Sequence, residues 1–298
     1  SVGEVVRTQP VEIQAVPDHY AAEFSITGGL GYVPVTIKGL GVHDGWELQK
    51  LEDGNWEKID QSVIGKDFWQ ARFDEHSRTY EVVYNIPNRG TNRYRLIDGT
   101  LGKVLAIGKD TSVPQTYPAS GFESSDGIEP IFFDSVPWKG QSTRAFAWMG
   151  IPESTNGPVP GVVLVHGGGG TAFKEWVKLW NDRGFAAISV AVEGQTDRKN
   201  IENEWERHDW GGPARSGIYG DFEEPLTDQW MYHAVSIVAR ANSLLRSTQG
   251  VDESRVGVMG VSWGGVITST VMGLDNRFAF AIPTYGCGFL DEQTHNSY

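Results

Sequence analysis

Cysteine is almost absent from this chain. The single Cys287 among 298 residues rules out an intrachain disulfide and a cysteine-built zinc cluster, and leaves the redox compartment open. No apolar run approaches the roughly 20 residues of a membrane-spanning helix, so no membrane segment is expected. The opening SVGEVVRTQPVEIQAVP lacks a basic region followed by an apolar stretch, so any export signal has been removed or never existed. Positive charge is in deficit as well. There are 25 Lys and Arg against 38 Asp and Glu, a net charge of −13 with no Lys/Arg run, which argues against nucleic acid as a partner.

What is present is a globular mixture, 39% hydrophobic and 21% charged, in a length that allows two domains. From about residue 23 to 107 the chain reads as short alternating segments at 32–40, 46–51, 56–59, 68–73, 80–84, 93–97 and 104–107. Turn signals such as Asp53-Gly54-Asn55 and Asp98-Gly99 separate them. That spacing predicts an all-β sandwich of the immunoglobulin or fibronectin kind over residues 1–107. Residues 108–127 (GKDTSVPQTYPASGFESSDG) are rich in Ser, Thr, Pro, Gly and Asp and read as a linker.

The period changes in the remainder, residues 128–298. A hairpin is expected over 131–149, followed by the continuous apolar runs Gly161-Val-Val-Leu-Val165 and Phe185-Ala-Ala-Ile-Ser-Val-Ala-Val192, as strands covered on both faces require. Helical spacing marks 173–183, 228–247 and 266–272, and further strands are read at 255–259 and 278–282. Alternation of this kind implies an α/β fold with a mostly parallel sheet.

Gly260-Val261-Ser262-Trp263-Gly264 matches G-x-S-x-G and lies between an expected strand and helix, the context a nucleophile elbow demands. So sharp a turn crowds its neighbours and explains the glycines. His166-Gly167-Gly168-Gly169-Gly170 stands at the end of another strand, where unhindered backbone N–H groups can face an incoming oxygen. His166 reads as a brace for that loop, not as a base.

With HGGGG at His166–Gly170, the helix beginning Asp228-Gln229-Trp230, and GVSWGG at Gly260–Gly265, the chain resembles the α/β-hydrolase superfamily, specifically its dienelactone-hydrolase-like and acetyl-xylan-esterase-like enzymes. The resemblance covers about residues 128–289. It implies Ser262 as nucleophile, the N–H of Trp263 as one oxyanion donor and that of Gly168 or Gly169 as the other, with no cofactor and no metal. It also implies a triad acid and a His after two further strands. The sole His after Ser262 is His295, with Asp291 four residues before it, and both lie among the last residues. The sheet is therefore expected to be incomplete at its C-terminus, with the remaining triad members in a missing C-terminal segment or a partner chain.

The loop 193–227 holds Glu204-Trp-Glu-Arg-His208-Asp209-Trp210, a candidate substrate wall with Trp210 as a stacking surface and His208 beside it. A metal reading of Glu204, His208 and Asp209 ranks behind a solvated loop face. Cys287 reads as a small buried residue. Trp46, Trp56 and Trp69 are either core or sugar-stacking positions. Taken together, a serine carboxylester hydrolase acting on carbohydrate esters, secreted or periplasmic, is the leading expectation. A prolyl-oligopeptidase-type serine peptidase and a non-catalytic glycan- or partner-binding pseudoenzyme are the alternatives.

Overall fold

The structure, a computed structural model, describes residues 15–16, 19–27, 32–40, 46–59, 68–74, 79–87, 90–153 and 157–286. The chain divides into two units, Ser1–Leu105 and Ala106–Tyr298.

In the first unit, β1 (Ala15–Val16), β2 (His19–Thr27), β4 (Trp46–Glu52), β5 (Asn55–Lys58) and β8 (Thr91–Asp98) form an antiparallel sheet in the order β1-β2-β8-β4-β5. A second antiparallel sheet, β3-β7-β6, is built from β3 (Tyr32–Leu40), β6 (Phe68–Asp74) and β7 (Thr79–Pro87). Leu48 and Leu96 pair across β4 and β8, both fully buried with Tyr94, which stacks on Phe24. Trp46 is a core residue, 8% exposed. The Arg95 guanidinium covers the ring of Trp56 at 4.6 Å. The side chain of Trp69 lies outside the described residues.

Residues 104–107, expected as a strand, belong instead to helix α1 (Gly99–Lys109). A run of four apolar residues fits either element, and here Ile107 joins the buried core of the second unit. Residues 108–127, expected as a linker, contribute the end of α1 and the strand β9 (Thr116–Pro118), which pairs with β10.

The second unit is a seven-stranded sheet in the order β17-β16-β12-β13-β11-β10-β9. Its strands are β10 (Ile128–Asp134), β11 (Arg144–Gly150), β12 (Val159–Val165), β13 (Ala186–Val190), β16 (Val251–Val261) and β17 (Ala281–Thr284), with β9 at one edge. The four strands β13, β12, β16 and β17 run parallel; β11, β10 and β9 add antiparallel pairs. The apolar runs are continuous because both faces are covered. On β12, Val163 and Val165 enter one core with α3 (Trp230–Ser247) and α4 (Trp263–Met272), while Val162 and Leu164 enter the other with α2 (Lys174–Asn181). The loop expected over 193–227 contains a ribbon of β14 (Gln195–Lys199) and β15 (Trp205–Arg207).

Strand order reverses at β12. The chain leaves it through α2 to β13 on one side, then returns through α3 to β16 on the other. The carboxyl ends of strands at such a reversal, here β12 and β16, are where open α/β sheets take their ligands.

Candidate active site

Val165 of β12 lies opposite Gly260 of β16, so the two strands release the chain side by side. From β16 the chain turns at Ser262, whose φ of 56° and ψ of −120° lie where only glycine enters readily. Holding a serine there costs about 1–3 kcal/mol. Backbone contacts enforce it: Ser262 N donates to Thr284 O at 2.8 Å, and Val266 N donates to Ser262 O at 3.1 Å. The glycines around it are required by packing. A Cβ on Gly260 would enter the Gly264 carbonyl, and one on Gly264 the Val165 carbonyl. The Ser262 hydroxyl makes no capping hydrogen bond to α4.

The glycine loop after β12 is oriented by His166, which is fully buried. Its Nε2 accepts from the Val192 N–H at 3.1 Å, so the ring proton resides on Nδ1, which donates to the Gly167 carbonyl at 2.7 Å. Gln195 Nε2 reaches the same Nε2 at 3.2 Å and donates to the Gly170 carbonyl at 2.8 Å. Burial holds the imidazole neutral, lowering its pKa to about 4, against the bond to Gly167 and with a smaller push from Arg215. Gly170 N also donates to the Gly167 carbonyl, at 3.1 Å. Because a trans peptide sets its C=O and N–H in opposite directions, fixing that carbonyl inward turns the Gly168 N–H outward. Gly167 itself lies against the serine: a Cβ there would stand 3.2 Å from Ser262 Cβ and 3.7 Å from its Oγ. Gly169 adopts φ 73°, and its carbonyl accepts from Trp205 Nε1 at 2.8 Å.

The indole of Trp263 meets Trp230 and Tyr219 edge-on, each at 5.4 Å between centroids. Arg215 places its Cζ 5.5 Å from the Trp263 ring and its Nε 3.6 Å from Glu193 Oε1, too long for a hydrogen bond. Burial raises the Glu193 pKa, and Arg215 opposes that rise. Arg207 fastens the loop by donating to the Glu193 and Gly212 carbonyls.

Ser262, Trp263, Gly168 and Gly169 thus come together at one end of the sheet. Trp210 and His208 do not join them. His208 packs on Phe132 of β10 at 4.7 Å, and Trp210 lies 6.1 Å from the same ring with the Arg144 guanidinium over it at 4.7 Å. Phe132 belongs to β10, four strand positions from β16, while the backbone of His208 is held at Gly194, to whose carbonyl its N–H donates at 3.3 Å; of the loop expected as the substrate wall, Trp205 and Arg215 are the residues that reach the glycine loop. Burial lowers His208 to about 4, and neither ring nitrogen has a partner. Among the described residues, no group of three His, Cys, Asp or Glu could hold a metal ion. Asp291, His295 and Cys287 lie outside the described residues. The sequence reading took the whole loop 193–227, Trp205 included, as a candidate wall but gave no role to Arg215 or Gln195, which carry no motif; their contacts with the glycine loop and His166 reveal them.

Two acetyl xylan esterases are among the solved structures similar to this chain. The acetyl xylan esterase from Paenibacillus sp. R4 shares 23% identity over 61% of this chain and 57% of its own, with a TM-score of 0.44. Acetyl xylan esterase 1 from Thermoanaerobacterium sp. JW/SL YS485 shares 19% over 61% and 55%, with a TM-score of 0.45. The chain spans a little over half the length of each. The family profile of the acetyl xylan esterases (AXE1) matches residues 131–292, more than half of the 298 residues and including both the glycine loop and the serine turn, and the chain belongs to that family.

Proposed function

We propose that the chain is the nucleophile-bearing part of a serine carboxylester hydrolase that deacetylates carbohydrate esters outside the cytoplasm. The carrying observation is the strained Ser262 set against Gly167, whose carbonyl is held by His166. In this reading Ser262 Oγ adds to the ester carbonyl carbon while its proton passes to a base and the π pair moves onto the carbonyl oxygen. The N–H groups of Gly168 and Trp263 receive that oxyanion. Collapse expels the sugar alkoxide, which takes up the proton, and water then cleaves the acetyl-serine by the same steps.

The base is none of the described histidines of this unit. Both nitrogens of His166 are engaged, His233 Nε2 lies 2.9 Å from the Thr227 carbonyl, and the His208 ring packs on Phe132 of β10. The family supports the acetylated-carbohydrate substrate, and the two antiparallel sheets of the first unit are consistent with the expected sandwich. No described helix is long and apolar enough to cross a membrane.

The test is fluorophosphonate labelling located by mass spectrometry, with acetate release from acetylated xylo-oligosaccharides measured alongside. The expected adduct is on Ser262, and Ser262→Ala removes it together with turnover, by on the order of 10⁴-fold or more. An adduct elsewhere, or acetate release that survives the substitution, overturns the assignment. Absence of labelling in any form of the protein favours the binding-module alternative.

A further inference from the structure

Between β15 and α3 the chain carries one cation to the glycine loop, and the mechanism above leaves it without a part. The Arg215 guanidinium converges on both residues assigned as oxyanion donors. A methyl group built on Gly168 would stand 2.9 Å from Arg215 Nη2 and 2.8 Å from Trp263 Cδ1, and Arg215 Cζ is 5.5 Å from the Trp263 ring. Gly168 directly follows Gly167, which touches Ser262.

The donors of this side chain are unevenly engaged. Nη1 donates to the Gly217 carbonyl at 2.6 Å, which anchors the plane of the group. Nε is buried and makes no hydrogen bond, and so is Glu193 Oε1, 3.6 Å away. Nε faces Glu193, and Nη2 is the donor that stands at Gly168. Glu193 restrains the cation by charge without taking up its Nε–H. Trp263, with Trp230 and Tyr219 edge-on to it, flanks the group, which is about one quarter exposed. In a chain of net charge −13, Arg207 and Arg215 against Glu193 leave this corner with one positive charge in excess.

We propose that Arg215 is a third, cationic donor to the oxyanion formed at Ser262, acting with the N–H groups of Gly168 and Trp263. The inference rests on the reading of Ser262 as nucleophile.

Two reactions read the same anion: fluorophosphonate labelling, which builds negative charge on a phosphoryl oxygen, and ester turnover. Labelling rate is compared in the native chain, Arg215→Gln and Arg215→Lys, with Arg215→Ala assayed with and without added guanidinium ion. Turnover is followed on neutral 4-nitrophenyl acetate and on the carboxylate-bearing mono-4-nitrophenyl succinate. Arg215→Gln is expected to slow labelling and lower kcat by about 10- to 100-fold with KM little changed, equally for both esters. Arg215→Lys keeps part of the rate, and guanidinium restores part of it to Arg215→Ala. An unchanged labelling rate overturns the proposal. So does a loss confined to the anionic ester, which would make Arg215 a carboxylate-binding residue, and so does a loss that follows a fallen melting temperature and resists guanidinium. If the native chain labels but turns over neither ester, the labelling rates decide alone. If Ser262 of the native chain is never labelled, the parent reading has failed and this one falls with it; labelling that ignores Arg215 refutes only the latter.

Discussion

The buried His166 makes a quantitative prediction about acid. Its folded-state pKa of about 4 lies below the ordinary 6.5, so the folded protein binds a proton at this ring less readily than the unfolded chain does. Above pH 6.5 the ring is neutral in both states, and its contribution to stability is fully present. Between pH 6.5 and 4 only the unfolded chain takes up the proton, and stability falls by up to about 1.4 kcal/mol per pH unit. The total is about 3 kcal/mol, a large share of the roughly 5–15 kcal/mol that holds a typical protein folded. The structural reason is specific: a proton on Nε2 would face the Val192 N–H at 3.1 Å and the Gln195 amide at 3.2 Å, two donors with no acceptor between them. Urea unfolding at half-unit pH steps measures the slope. Nitrogen-15 resonances of the ring separate His166 from His208 and His233, which burial also lowers. The ring should stay neutral with Nδ1 protonated to about pH 4.5. Gln195→Glu, which places an acceptor at Nε2, should raise the His166 pKa and flatten the slope. A native ring that titrates near 6.5, or one carrying its proton on Nε2, would refute the brace and with it the outward-turned Gly168 N–H.

Two further substitutions test the loop and the turn separately. Gly264→Ala drives a methyl group into the Val165 carbonyl and to within 2.7 Å of the His166 carbonyl, neither of which can swing aside, so it should cost about 1–3 kcal/mol or more of stability and slow labelling of Ser262. Full stability with native labelling would show that β12 and α4 are not in contact there. Trp205→Phe keeps the ring against Phe173 but removes the donor to the Gly169 carbonyl, a bond of about 1 kcal/mol, and should slow labelling by roughly fivefold while the urea midpoint hardly moves. A rate equal to the native one would mean that the ribbon does not restrain the glycine loop.

Much of the second unit was legible in the sequence because its strands are buried on both faces. A run such as Gly161–Val165 has few other destinations, and the glycines flanking Ser262 report a crowding that no other residue tolerates. Where burial is partial, the signal fades. Residues 104–107 satisfy strand and helix alike, and β9 is held at the sheet edge by backbone pairing that its Thr-Tyr-Pro sequence does not announce. Loops are the least legible, since their destinations depend on which strands are neighbours. Gly167 and Ser262 touch across 95 positions of sequence because β12 and β16 are parallel neighbours in register at Val165 and Gly260. Trp210 is only five positions from Arg215, yet it packs on β10 and β11 while Arg215 reaches Gly168 and Trp263. Composition made Trp210 conspicuous and left Arg215 as a lone cation among glycines, serine and proline. Membership of the site follows strand order instead, and that order places a charge beside Gly168 and Trp263 that no motif names.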